Sequence, residues 1–142
     1  MFRKLFLALI VFNAAAWAQT TPTPAYAGQA YTSLAAVTST GPGTVYQLQT
    51  GTYAYTVTLT TAGVVSAAGA NLEGSTCSAA DIAANTTGCW FVLATAASTD
   101  VNWAAGEMFH VVNKPVVYIR LNLITFTGSG SITGTVTFFK VG

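Results

Sequence analysis

From Thr52 to Thr60 apolar and polar positions alternate without a break. Tyr53, Tyr55, Val57 and Leu59 fall on one side, and Thr52, Ala54, Thr56, Thr58 and Thr60 on the other. A period of two is the signature of a strand with one face in a core, so the first set is expected to be buried. Val117, Ile119, Leu121 and Leu123 alternate in the same way with Tyr118, Arg120 and Asn122, leaving one face to pack and the other to carry hydrogen bonds. Cys89-Trp90-Phe91-Val92-Leu93 is apolar at every position, the pattern of a central strand covered on both faces.

Extending this reading gives eight strands: Tyr31 to Thr38, Thr44 to Gln49, Thr52 to Thr60, Ala67 to Gly74, Cys89 to Thr95, Met108 to Asn113, Val116 to Thr125 and Ile132 to Val141. Turn residues separate them, including Gly41-Pro42-Gly43, Gly51, Gly63, Gly106, Asn113-Lys114-Pro115 and Gly128-Ser129-Gly130; the last of these reads as a hairpin turn. One short helical piece is expected at Ser78 to Ala84. No fixed-period repeat is evident, which argues against a solenoid or a propeller. The predicted fold is all-β: a single antiparallel β-sandwich, of jelly-roll type.

The N-terminus departs from this pattern. Arg3 and Lys4 precede an apolar run from Leu5 to Phe12, and Ala16-Trp17-Ala18 forms an A-x-A site, so residues 1–18 read as a bacterial-type export signal cleaved between Ala18 and Gln19. Even extended to Ala18, the run is shorter than the roughly 20 residues of a membrane-spanning helix. No stable span is expected after cleavage, and the product would be secreted, periplasmic or held at the cell surface. Residues 19–28, with two prolines in a Thr and Ala background, read as an extended lead outside the core, and residues 29–142 as the sandwich domain.

Export changes the reading of charge and of cysteine. The mature chain keeps three basic residues, Lys114, Arg120 and Lys140, against four acidic ones, Glu73, Asp81, Asp100 and Glu107. Seven charges in 124 residues lie far below the roughly 25% of an ordinary soluble domain. No basic cluster exists to bind nucleic acid. A neutral surface repels its own copies weakly and tolerates close contact between them, as a subunit of an assembly would, and it equally suits a simple neutral secreted domain. Cys77 and Cys89 are the only cysteines, and an even count in an exported chain predicts a disulfide.

Catalytic chemistry finds little material. His110 is the single histidine, within a predicted strand; a triad with Asp81 or Asp100 has no G-x-S-x-G elbow in its support. Glu73 and Glu107 could pair as glycosidase carboxylates, yet both flank glycines and read as solvated turn residues or as acids that hydrogen-bond backbone amides. The scattered acids, one histidine and an oxidised cysteine pair supply no metal cluster, and neither a metal nor a cofactor is expected. Asn85-Thr86-Thr87 matches a glycosylation acceptor, read as a chance occurrence in a bacterial-type export product. Among the aromatics, Tyr53, Tyr55 and Trp90 read as core, whereas Trp103, beside Asn102 between two predicted strands, is the candidate for contacting a ligand or a partner.

Leu72-Glu73-Gly74-Ser75, Trp90-Phe91-Val92-Leu93, Tyr118-Ile119-Arg120-Leu121-Asn122 and Gly128-Ser129-Gly130 follow one another in an order that resembles small jelly-roll β-sandwich modules of bacteriophage virion proteins and bacterial surface proteins. Such modules carry an L-x-G-S, W-x-x-L, Y-x-R-x-N, G-x-G series. The resemblance covers about the last half of the chain and implies a non-enzymatic structural or adhesive subunit of an extracellular assembly. Self-association or contact with other surface proteins would follow, with residues 19–28 a candidate arm that adds to a neighbour's sheet. The long cysteine loop departs from the short turn usual there, and an export signal fits a cell-surface relative better than a virion protein assembled in the cytoplasm. Chaperone-assembled pilins are less similar, because their cysteines lie much further apart. The alternative expectation is a carbohydrate-binding module using Trp103.

Overall fold

Regular alternation with β-branched residues on the solvent side draws most of the chain into strands. The computed structural model describes residues 21–97 and 107–141, of which 97 and 107–114 by backbone alone. In chain order the elements are β1 (Thr23–Pro24), β2 (Ala30–Val37), β3 (Gly41–Pro42), β4 (Tyr46–Gln47), β5 (Thr52–Ala62), β6 (Val65–Ser75), α1 (Ala79–Ala83), β7 (Phe91–Ala97), β8 (Glu107–Lys114), β9 (Tyr118–Gly128) and β10 (Ser131–Val141).

Two sheets face each other. The first runs β1-β4-β9-β6-β7, with β3 also on β9, and the second runs β2-β10-β5-β8. Pairing is antiparallel throughout, except that β1 lies parallel to β4. Each step along the main strands crosses to the other sheet, apart from β6 to β7, which are neighbours. That winding is a jelly-roll sandwich. Tyr53, Tyr55, Val57 and Leu59 of β5 face inward with Ile132, Val136 and Phe138 of β10, against Leu72 of β6 and Ile119, Leu121 and Leu123 of β9. Each of these large side chains adds about 1.5–3 kcal/mol by leaving water.

The outer face of the second sheet is a block of threonines. Thr133, Thr135 and Thr137 of β10 sit opposite Thr60, Thr58 and Thr56 of β5, and Thr32 of β2 lies opposite Thr135. Methyl groups favour the extended backbone while hydroxyls solvate the face, so the sheet needs no charge there.

The sheets are stitched together at Ser33. A bulge in β2 turns both Ser33 and Leu34 inward. The Ser33 hydroxyl donates to the Thr44 carbonyl (2.9 Å) and accepts from the Leu121 amide of the opposite sheet (2.9 Å), while the Thr44 amide donates to the Ser33 carbonyl. This intrusion explains why the strand expected over Thr44 to Gln49 shrinks to Tyr46–Gln47. Gly43 must be glycine at this crossing, since a Cβ there would clash with the Ser33 carbonyl oxygen. Ser33→Ala would leave a buried amide and a carbonyl without this partner, a loss of about 1–3 kcal/mol that urea unfolding would register; an unchanged midpoint would show that the stitch contributes nothing.

Four expectations are corrected by the structure. Residues 21–28 of the lead are mostly exposed, but Ala25 is buried in the core, and the Thr23 and Ala25 amides donate to the Val45 and Gln47 carbonyls. Gly128-Ser129-Gly130 is a corner between sheets, because β9 and β10 belong to different ones; Gly128 sits at φ 143°, and its backbone runs so close to Val64 that a Cβ would clash with the carbonyl. The apolar run after Cys89 forms an edge strand, β7, and not a central one. A bulge at Leu93 directs both Leu93 and Ala94 to the core, and Phe91 and Val92 are exposed. Last, Val117 is exposed instead of buried, because β9 begins only at Tyr118.

Buried phenols give the fold an alkaline limit. Burial, and then the neighbouring Tyr53, raises the pKa of Tyr55; burial and Tyr31 raise that of Tyr46, whose hydroxyl donates to the Thr32 carbonyl (2.6 Å). Unfolded tyrosines lose their protons near pH 10 while these two keep theirs, so the unfolded chain binds fewer protons above that pH. Their contribution is complete below pH 10 and declines as pH rises further. The urea midpoint should therefore hold from neutral pH to about pH 9 and fall above pH 10; a midpoint flat to about pH 12 would contradict this.

Candidate functional site

The side chains that alternate with the core residues of β9 meet their counterparts on β6 at the outer face of the first sheet. Arg120 lies opposite Glu73, and Asn122 opposite Asn71. Arg120 Nε donates to Glu73 Oε2 (2.8 Å) and Asn122 Nδ2 to Glu73 Oε1 (2.8 Å), so both carboxylate oxygens are held. Glu73 is buried in β6, which corrects its reading as a solvated turn acid. On the same face the Thr95 hydroxyl of β7 donates to Asn71 Oδ1 (2.8 Å).

The cysteine loop folds over this face. Cys77 and Cys89 form the expected disulfide, with their Cα atoms 5.7 Å apart. Ser78 caps α1: its hydroxyl accepts from the Asp81 amide and donates to Asp81 Oδ2, a reciprocal cap that accounts for Asp81 in structural terms. The helix ends in a Schellman turn, with the Asn85 amide on the Ile82 carbonyl, the Thr86 amide on the Asp81 carbonyl, and Asn85 at φ 47°. This turn presents Asn85 Oδ1 to Arg120 Nη1 (3.2 Å). The Asn85 amide group of the N-x-T sequence is thus partly engaged.

Trp90 follows the disulfide directly, and Arg120 Cζ stands 3.9 Å over its ring. Trp90 is half-buried here and not in the sandwich core, a correction to its expected place. Its Nε1 is buried with no hydrogen-bond partner among the described residues. Ile82, Cys89 and Tyr118 are buried as well, outside the main core. Arg120 thus joins β6, β9, the turn after α1 and the start of β7. Its chemistry is to hold: an ion pair with both carboxylate oxygens engaged fixes strands and offers neither oxygen freely to a substrate.

The rest of the described surface is nearly neutral. Of the four charged side chains described, Glu73 and Arg120 neutralise each other under the loop and Asp81 is held by the helix cap, which leaves Lys140 exposed. A shallow groove of about 480 Å³ runs beside β1 and β4, lined by Pro24, Tyr26, Gln47, Gln49, Thr50 and Val117 among others. Among the described residues no helix is long and apolar enough to cross a membrane.

Trp103, Asn102, Ala18 and Gln19 lie outside the described residues. His110 is placed by backbone alone, in β8 opposite Thr56. The sequence reading did not join Arg120 to Glu73, Asn85 and Trp90. The available signal was an arginine set on the polar side of an otherwise apolar strand, where it needs a carboxylate from a neighbouring strand. No protein-family model, no characterised protein and no solved structure matches this chain.

Proposed function

We propose that this protein is an exported, non-enzymatic structural or adhesive subunit of an extracellular assembly. The observation that carries this reading is the disposition of charge: the Arg120 and Glu73 pair is spent inside the molecule, and the threonine block and both described sheet faces present almost none outside. Such faces exert little electrostatic repulsion on identical neighbours and keep their solubility through hydroxyls and amides. Pinning the loop to the sheet with a disulfide and a guanidinium also suits a module that must keep its shape outside the cell. Light scattering on the purified exported protein tests this. A mass that grows with concentration supports it, and a strict monomer at about 1 mM, where a contact of only about −4 kcal/mol is populated, would end it.

A carbohydrate-binding module is the second reading, and the groove beside β1 favours it. The exposed Tyr26 ring there could stack on a sugar while Gln47 and Gln49 bond its hydroxyls. Binding on a broad glycan array that weakens with Tyr26→Ala or Trp103→Ala would support it, whereas an array without signal would remove it.

A further inference from the structure

The four sheet margins differ in how they are protected. The margin made by β1, β3 and β4 is broken into two-residue pieces that contain Pro24 and Pro42. On the second sheet β2 is interrupted by two register shifts, with Ala36 at φ 49°, and β8 starts on Glu107 and ends on Lys114. Short strands, prolines, bulges and charges are the usual means of keeping an edge from pairing with another chain. The remaining margin is β7, Phe-Val-Leu-Ala-Thr-Ala-Ala, seven residues without a charge or a proline. Its one irregularity, the bulge at Leu93, serves the core, and Phe91 is 43% and Val92 54% exposed.

We infer that β7 is the surface through which two copies of this chain join, pairing antiparallel across a two-fold axis so that the first sheets of both molecules become continuous. This rests on the assembly reading above and names the contact it uses. Among the described residues no strand pairs with the outer edge of β7, and backbone amides and carbonyls along such an edge are best satisfied by another strand. A second copy suits this one because an uncharged, β-prone strand opposes itself without repulsion, and a two-fold pairing is self-complementary by symmetry. The strand is also held ready: the disulfide at Cys89 and the stacking of Arg120 on Trp90 fix its start, so little ordering remains for the moment of contact. Within residues 19–28, a candidate arm by sequence, Thr23, Ala25 and Gly28 already donate their amides within their own molecule.

The test compares the exported protein with Phe91→Lys/Val92→Lys, and with Val64→Lys as a control, since Val64 is 69% exposed in the corner between β5 and β6. The dimer dissociation constant, by sedimentation equilibrium, should rise at least about tenfold in the double variant and stay unchanged in the control. Hydrogen exchange on the unaltered protein should show the β7 amides slowing as concentration rises through that constant, a readout that needs no variant to fold. Association that persists in the well-folded double variant, or β7 amides that exchange equally fast in monomer and dimer, would overturn the β7 contact while leaving the assembly reading intact. Absence of any association would overturn both.

Discussion

Arg120→Ala should destabilise the domain by about 3–5 kcal/mol, because it strands the Glu73 carboxylate in a largely buried site. The substitution also removes the cation from the Trp90 ring and the tie to Asn85, so the cysteine loop loses its anchor on the sheet. Urea unfolding followed by circular dichroism gives the magnitude, and a shift in Trp90 emission would report loosening of the loop. The pair itself need not stabilise the fold relative to apolar residues of similar volume, so Arg120→Met with Glu73→Leu should recover much of the loss. A cost below about 1 kcal/mol for Arg120→Ala would place the pair with weak surface bridges and remove its role as a clamp.

The second large effect belongs to the disulfide. Cys77 and Cys89 lie 12 positions apart, and opening a loop of this size releases about 3 kcal/mol of unfolded-chain entropy. For a domain of this length, Cys77→Ser/Cys89→Ser should lower the melting temperature on the order of 10 °C. Because the loop is also held through Asn85 and Arg120, the two losses should not add: removing both ties should cost less than the sum of the single effects. Full additivity would mean that the disulfide and the guanidinium act on separate structures.

Alternation made the core legible from sequence where a strand is regular on both sides. Tyr53 to Leu59 and Ile119 to Leu123 are buried as their period requires, and the short helix lies between Ser78 and Ala84 as expected. What sequence could not show is where the period breaks. The bulge at Leu93 places two adjacent side chains on one face, so an edge strand displays the continuous apolar run of a central one. The Ser33 crossing and the close approach at Gly128 depend on residues 88 and 64 positions apart, a separation on which local pattern is silent. Glu73 beside Gly74 looks like a turn by local rules; only its register opposite Arg120 reveals the ion pair. The disulfide was legible because an expected export signal and an even cysteine count point to it independently of fold.

The central claim is that a nearly uncharged, rigidly held sandwich acts by joining copies of itself. Light scattering after size exclusion on purified residues 19–142, from dilute solution to about 1 mM, tests it most directly. The mass should rise from monomer to dimer or beyond as concentration increases, with little dependence on salt, since few charges lie at the surface. A mass that remains that of one chain throughout would contradict it.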